Sequence, residues 1–211
     1  MSALEEISEQ IQSGKVKGVK ELVQKAIDEK FEAKDILEQG LLAGMNVIGE
    51  KFRNNEVFVP QVLLAARAMN AGTALLKPLL AQAGVKSSGK VAIGTVKGDL
   101  HDIGKNLVKL MMEGKGLEVF DLGANVDPEK YIETAKNENC DIIAMSALLT
   151  TTMSVMPEVV EAAKKAGIRD KVKIMVGGAP ITQLYCDQIG ADYFTSDAAS
   201  AADLAAQICG A

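Results

Sequence analysis

The chain contains the stretch Val91-Ala-Ile-Gly-Thr-Val-Lys-Gly-Asp-Leu-His-Asp-Ile-Gly104. Its first five residues form a short apolar run with β-branched members, which is typical of a buried strand. A polar loop follows, and from about residue 103 apolar residues recur at helical spacing. The stretch therefore predicts a strand, a loop and a helix in immediate succession, which is the start of a βαβ unit.

The same alternation continues to the end of the chain. Strands that are continuous apolar runs, separated by helices, indicate a parallel sheet covered on both faces. Right-handed crossovers then give a doubly wound, five-stranded α/β domain, and five strands suit a flavodoxin-like order. The predicted strands span residues 91–95, 117–122, 142–146, 172–176 and 193–195, and the predicted helices lie near residues 103–114, 128–138, 152–166, 181–189 and 198–208.

The first part of the chain follows a different pattern. Apolar residues recur there at helical spacing with charged residues between them, so we expect four amphipathic helices packed as a small bundle. Pro60 stands where the first turn of the last helix would begin, and Pro78 is expected to kink or fray its last turn. Small and polar residues at 83–89 indicate a linker. We therefore expect a helical bundle domain over residues 1–88 and an α/β domain over residues 89–211.

The composition argues against several classes of partner. The chain has 211 residues, a formal net charge of -5, no basic block and only 4% aromatic residues, so no nucleic-acid partner is expected. No apolar run approaches a membrane span and the acidic start differs from a signal peptide, so no membrane partner is expected either. Cys140, Cys186 and Cys209 are widely scattered, which favours free thiols in a reducing, cytoplasmic compartment.

The loops after the strands contain the candidate functional residues, because ligands of a doubly wound sheet bind outside the carboxyl ends of its strands. The one histidine of the chain, His101, lies in the first of these loops, two residues after Asp99. A neutral imidazole nitrogen can ligate a transition metal, and a carboxylate can fix the tautomer through the other nitrogen. The neighbouring loops add hydroxyl groups that would face the same crevice and glycines that leave room for a bulky ligand. These residues are Ser146, Thr150, Thr151 and Thr152, with Gly104, Gly177 and Gly178.

Other chemistries fit these residues poorly. Zinc hydrolysis normally uses three protein ligands, and no second histidine or cluster of thiols and carboxylates completes such a set. The sequence has no G-x-S-x-G nucleophile elbow. Gly84-Val-Lys-Ser-Ser-Gly-Lys90 resembles a phosphate-binding loop, but Val91 stands where a magnesium-binding Ser or Thr belongs, and the motif precedes a strand. A metal already held by an organic macrocycle needs one axial protein ligand, which is the simplest interpretation of His101.

Three motifs resemble one known family. Asp99-Leu-His-Asp-Ile-Gly104 matches the D-x-H-x-x-G signature of cobalamin-binding domains that bind their cofactor base-off, with histidine on cobalt. Ser146-Ala-Leu148 and Gly177-Gly178 match the S-x-L and double-glycine elements of that family, in order and at its spacing. Phe52-Arg-Asn-Asn-Glu-Val-Phe-Val-Pro60 and Ala65-Ala-Arg-Ala-Met69 are similar to its helical cap. Nearly the whole chain resembles the free-standing corrinoid proteins of methyltransferase systems, such as those for methylamines, methanol, betaines or methoxylated aromatics.

The resemblance implies a role for each motif. His101 would be the lower axial ligand of cobalt, Asp99 would hydrogen-bond its far nitrogen, and Ser146 and Thr150 would meet the displaced nucleotide tail. The helical bundle would act as a cap over the other face of the cofactor. The implied cofactor-binding residues are Gly98, Asp99, His101, Asp102, Ile103, Gly104, Ser146, Leu148, Thr150, Gly177, Gly178 and Ala179, with His101 as the metal ligand.

The resemblance also implies a function. The cofactor would be cobalamin or a related corrinoid, which as cob(I)alamin accepts a methyl group from a donor-specific methyltransferase. As methylcobalamin it would pass the group to a second methyltransferase, whose acceptor is a thiol such as coenzyme M, or tetrahydrofolate. A reductive activase would be the third partner. The chain would then be a methyl-carrying subunit and not a complete enzyme alone.

Two other functions stay open at this point. One is a cobalamin-dependent sensor or regulatory module, although no DNA-binding segment is visible in the sequence. The other is a flavodoxin-like binding module without a corrinoid, which has a histidine in its first loop. At the level of single residues, Ser146 and Thr150 could cap the next helix, and Gly177-Gly178 could be an ordinary tight turn.

Overall fold

The computed structural model describes residues 2–85 and 87–210. The chain divides into two compact units, Met1–Ser87 and Ser88–Ala211. The predicted linker at 83–89 contains Lys86, which lies outside the described residues. Within the described residues, no helix is both long and apolar enough to cross a membrane.

The first unit is the predicted four-helix bundle. Its third helix is built from three segments that follow one another directly, and the middle one is π-helical. A capping box between Ser2 and Glu5 starts the first helix, since each residue accepts a hydrogen bond from the backbone amide of the other. The last helix continues through Pro78, so the predicted fraying at that residue is wrong. The segments are α1 (Ala3–Gln12), α2 (Val16–Asp28), α3 (Ala33–Asp35), the π-helix Ile36–Leu42, α4 (Ala43–Arg53) and α5 (Val59–Gln82).

The second unit is the predicted doubly wound α/β domain. Its five strands are parallel and lie in the order β2-β1-β3-β4-β5, so the flavodoxin-like order is confirmed. The elements are β1 (Lys90–Thr95), α6 (Ile103–Glu113), β2 (Glu118–Asp121), α7 (Pro128–Glu138), β3 (Ile142–Ser146), α8 (Val155–Lys165), β4 (Lys173–Gly177), α9 (Gln183–Ile189), β5 (Tyr193–Phe194) and α10 (Ala198–Cys209).

The ends of the predicted elements of the α/β domain agree with the observed ones to within three residues, and those of β3 and α7 agree at both ends. The largest difference is at α8, which begins at Val155 rather than near residue 152. Residues 150–154 form turns instead of a helix. The hydroxyl of Thr152 lies 2.9 Å from the carbonyl oxygen of Leu149, and its amide donates to the same oxygen. An amide hydrogen bond that spans three residues closes a turn, whereas an α-helix needs hydrogen bonds that span four.

Strand register brings three residues side by side at the carboxyl edge of the sheet. Thr95 pairs with Ser146, and Ser146 pairs with Gly177. Because side chains alternate along a strand, these residues lie on the face opposite Ala92, Ile143 and their neighbours. Those neighbours form the apolar core with α7, α8 and α9. The face that contains Ser146 and Gly177 is therefore the one next to α6, which directly follows the His101 loop.

A close contact inside this core gives a test of the fold. A Cβ added to Gly94 would lie 2.7 Å from the hydroxyl oxygen of Tyr131 and 3.0 Å from its Cζ. Tyr131 is fully buried, and within the described residues its hydroxyl has no hydrogen-bond partner. Because protein interiors are closely packed, we expect a buried ring of this size to have little room to move away from an added methyl group.

We expect Gly94→Ala to lower the free energy of unfolding by about 2 kcal/mol, because overpacking a rigid core forces strain on its neighbours. In the Tyr131→Phe background the loss should be smaller, since the nearest atom has been removed. Urea denaturation of the unmutated chain, the two single variants and the double variant measures the coupling between the two substitutions. Equal losses in both backgrounds would show that the contact between Gly94 and Tyr131 is not the cause.

Candidate functional site

The loop between β1 and α6 holds His101 above the end of the sheet. Its backbone is fixed from two sides, because the hydroxyl of Thr95 donates to the His101 carbonyl at 2.9 Å and the Asp99 amide donates to the Val96 carbonyl at 3.1 Å. The side chain of His101 is 52% exposed, whereas that of Asp99 is fully buried. The imidazole therefore stands at the surface on a buried carboxylate.

Asp99 connects the β1 loop to the β3 loop. Its Oδ1 accepts from the His101 amide at 3.0 Å and lies 2.7 Å from the Nδ1 of the same residue. Its Oδ2 accepts from the amides of Leu148 and Leu149 at 2.7 and 3.2 Å and from the Thr152 hydroxyl at 3.0 Å. That hydroxyl has one hydrogen, and a charged acceptor binds it more strongly than the Leu149 carbonyl does.

These hydrogen bonds decide the charge of Asp99. Burial alone would raise the pKa of this carboxyl, but the donors, led by the amides of His101 and Leu148, hold it well below its usual range. The carboxyl is therefore an anion. An anionic carboxylate can only accept, so Nδ1 of His101 carries the hydrogen between them, and in the neutral ring Nε2 keeps its lone pair.

Large apolar side chains border the exposed imidazole. Leu100 and Ile103 are 75% and 79% exposed, and Leu148 and Leu149 are exposed as well. We call these four residues the apolar collar. Beside them, a Cβ added to Gly104 would meet no atom within 4 Å. Exposed apolar clusters of this kind mark binding surfaces, so the collar and the open space at Gly104 fit a broad, flat and mainly apolar ligand.

Gly177 and Gly178 serve different purposes at the end of β4. A Cβ on Gly178 would lie 1.8 Å from the Ala147 carbonyl oxygen, and its φ of +128° is one that other residues rarely adopt. Gly178 is therefore required by the close approach of two backbone segments. A Cβ on Gly177 would meet only the Thr195 carbonyl oxygen, at 3.9 Å. Gly177 instead leaves bare backbone beside Ser146.

The structure places the other predicted site residues at the same edge of the sheet, but not all of them face His101. Asp102 is exposed and accepts from the Asn106 side chain on α6 at 3.0 Å. Thr150 and Ala179 are exposed in the loops after β3 and β4. Ser146 is partly buried, and neither Ser146 nor Thr150 caps α8, which begins after Ser154.

Two residues have contacts that the sequence did not reveal. Thr152, expected to face the crevice, is buried beneath Asp99. Asn125 follows β2, and its side-chain oxygen accepts from the Gly98 amide at 2.8 Å. The sequence indicates Asn125 only through its position after a predicted strand, at the edge where the other candidate residues meet. No candidate residue was predicted in the loop after β2.

Comparisons with known proteins identify the family to which the chain is similar. Two family models, each described as a B12 binding domain, match residues 3–77 and 89–205. A corrinoid protein of Desulfitobacterium hafniense is 41% identical over 100% of this chain and 99% of its own length. The dimethylamine corrinoid protein of Methanosarcina barkeri is 46% identical over 94% of this chain and 93% of its own length.

Solved structures give the same result. A chain in the crystal structure of the methanol:cobalamin methyltransferase complex MtaBC from Methanosarcina barkeri has a TM-score of 0.90 and 30% identity, covering 99% of this chain and 80% of that chain. A cobalamin-binding protein from Desulfitobacterium hafniense has a TM-score of 0.80 and 30% identity, covering 99% of both chains. The resemblance found in the sequence motifs is thereby confirmed. The chain belongs to the family of corrinoid proteins with B12 binding domains.

Proposed function

We propose that this corrinoid protein is a methyl carrier that binds its cofactor base-off, with Nε2 of His101 on the cobalt. The observation that supports this proposal is the imidazole itself. Its Nδ1 is committed to a buried anion, and its Nε2 is directed away from that contact, at a surface bordered by the apolar collar. When bound, the corrinoid supplies a cobalt centre that can take up a methyl group and release it.

The residues beneath His101 would control how strongly it coordinates. Asp99 holds the proton at Nδ1, which fixes the tautomer and leaves the lone pair on Nε2. Thr152 and two backbone amides hold Asp99 in place, so the carboxylate cannot turn away from the ring.

The displaced nucleotide tail would lie against the carboxyl ends of β3 and β4. Ser146 offers a hydroxyl there, Gly177 leaves bare backbone beside it, and Gly104 leaves open space at the start of α6. Thr150, Leu148 and Ala179 would contact the cofactor from the loops after these strands. Gly178 would act indirectly, by letting the backbone of β4 approach Ala147. Gly98, Asp102 and Ile103 would complete the site from the His101 loop.

The partners follow from the methyl-carrier role. One solved relative comes from a methanol:cobalamin methyltransferase complex, and the curated relatives include dimethylamine and trimethylamine corrinoid proteins. These names support a donor-specific methyltransferase as one partner of this chain. An acceptor methyltransferase, acting on coenzyme M or tetrahydrofolate, and a reductive activase would be the others.

The thiols fit a reducing, cytoplasmic compartment. Cys140 and Cys186 are buried, Cys209 is partly buried, and all three are free. Burial raises the pKa of the Cys140 and Cys209 thiols to about 11, so little reactive thiolate forms at neutral pH. These cysteines therefore have structural roles and take no part in methyl transfer.

The decisive experiment uses the fact that the chain has one histidine. Growth on nitrogen-15 histidine labels a single imidazole. We expect the protein loaded with cob(II)alamin to give an electron paramagnetic resonance spectrum whose cobalt lines split threefold with natural nitrogen and twofold with the label. A threefold splitting in the labelled protein would show that the base of the cofactor is still on cobalt. His101→Ala is the matched control and should show no effect of the label.

A second prediction concerns the buried carboxylate. Asp99→Asn replaces one accepting oxygen by an amide group, which leaves buried donors without a partner. We expect the free energy of unfolding of the cofactor-free protein to fall by about 2–3 kcal/mol, and that of Thr152→Val by about 1 kcal/mol. Urea denaturation measures both. The exposed Asp102→Asn is the control and should change stability by less than about 0.5 kcal/mol. A loss for Asp99→Asn no larger than this control would contradict the assigned hydrogen bonds.

A third prediction separates stability from cofactor access. Gly104 lies in the first turn of α6 with open space where a Cβ would be. Gly104→Ala should stabilise the cofactor-free protein by about 0.5 kcal/mol, because alanine loses less backbone entropy in a helix. The added methyl group should nevertheless weaken hydroxocobalamin binding at least tenfold, as measured by absorption titration. Unchanged binding would mean that the cofactor does not approach Gly104.

A further inference from the structure

The loop between β2 and α7 contacts the start of the His101 loop. The Gly98 amide donates to Oδ1 of Asn125 at 2.8 Å, and the Asn125 amide donates to the Asp99 carbonyl at 2.9 Å. Asn125 therefore binds the backbone on both sides of the peptide between Gly98 and Asp99. Its φ of 55° is left-handed, a conformation that asparagine tolerates better than most residues.

This loop also extends the sheet beyond the end of β2. The Thr95 amide donates to the Gly123 carbonyl at 3.0 Å, and the Val126 amide donates to the Thr95 carbonyl at 3.0 Å. Val96 and Val126 form an isolated parallel bridge. Asn125 is consequently held by regular pairing on either side of it, so its side chain is a fixed support for Gly98.

The end of β2 contacts α6, the helix that follows the His101 loop. Lys105, the residue after Gly104, is almost fully buried and pairs with Asp121 at the end of β2. Asp121 in turn accepts from the Gly123 amide at 2.9 Å. A buried ion pair of this kind holds its two elements in one arrangement, because separating the partners leaves an uncompensated charge. The β2–α7 loop therefore contacts the His101 loop at Gly98 and Asp99, and the end of β2 holds the first turn of α6 through Lys105.

We propose that Asn125 is a positioning residue, which sets the backbone of residues 98–101 so that His101 is already oriented before the corrinoid binds. This inference rests on the proposed role of His101 as the cobalt ligand. Gly98 has a φ of +82° and is exposed, so without the Asn125 contact this part of the loop would sample many conformations. When only a fraction of the molecules has the binding conformation, the apparent affinity falls in proportion to that fraction.

The test compares three variants. Asn125→Gly removes the acceptor and keeps a residue that accepts the left-handed backbone, so the loop can still close. Asn125→Asp retains an acceptor oxygen at the same place. Asn139→Gly is the matched control, since Asn139 has a φ of 53° at the end of α7 but lies outside the His101 loop. This control measures the effect of asparagine-to-glycine replacement in a left-handed position alone.

We expect Asn125→Gly to bind hydroxocobalamin about fivefold more weakly than the unmutated chain, the factor that corresponds to one net hydrogen bond. In the cofactor-free protein, amide hydrogen exchange at Gly98 and His101 should be about fivefold faster. Asn125→Asp should recover most of both effects. Asn139→Gly should change neither.

Two results would overturn the inference. One is exchange at Gly98 and His101 that is no faster in Asn125→Gly than in Asn139→Gly, and the other is an Asn125→Asp variant as impaired as Asn125→Gly. Failure of the proposed function is distinguishable from both. In that case the labelled His101 produces no twofold splitting in the unmutated chain, while the exchange rates of the cofactor-free protein still decide the role of Asn125.

Discussion

The buried carboxylate of Asp99 is the constraint on which the site depends. A fully buried anion is costly unless donors replace the water it has lost, and here five donors from two loops do so. Four of the five come from the backbone or from His101 itself, and Thr152 supplies the last. If the β1 and β3 loops separated, Oδ2 of Asp99 would lose the donors that Leu148, Leu149 and Thr152 supply, and the carboxylate charge would be left without compensation. The orientation of His101 follows from this connection.

The sheet supplies the geometry that makes such a connection possible. In a parallel sheet every strand ends at the same edge, so loops far apart in sequence meet there. The pairing of Thr95, Ser146 and Gly177 places the histidine loop, the hydroxyl and the bare backbone on three adjacent strands. Gly178 is needed because two of these strand ends approach each other closely and because its φ of +128° is one that other residues rarely adopt. Fold and site are thus specified by the same register.

The sequence predicts the parts of this structure that depend on periodicity or on fixed spacing. Apolar runs predict the strands, and the spacing of Asp99 and His101 predicts their hydrogen bond. The role of Thr152 could not be predicted, because its contact with Asp99 exists only when residues 150–154 form turns instead of the first turn of α8. Asn125 was missed for a similar reason, since its contact with Gly98 depends on a left-handed backbone and on strand order. Neither leaves a periodic signal.

Different groups of the site orient His101 and provide the free energy of ligand binding. Hydrogen bonds around Asp99 are complete without a ligand, so they contribute to orientation and add little to the free energy of binding. The apolar collar is exposed, and covering it removes apolar surface from water at about 25 cal/mol per Å². A ligand that binds only the folded state also stabilises that state, and the stabilisation grows with the logarithm of the ligand concentration once this exceeds the Kd. In the proposed binding mode the corrinoid would cover the exposed collar, while the hydrogen bonds beneath it would stay unchanged.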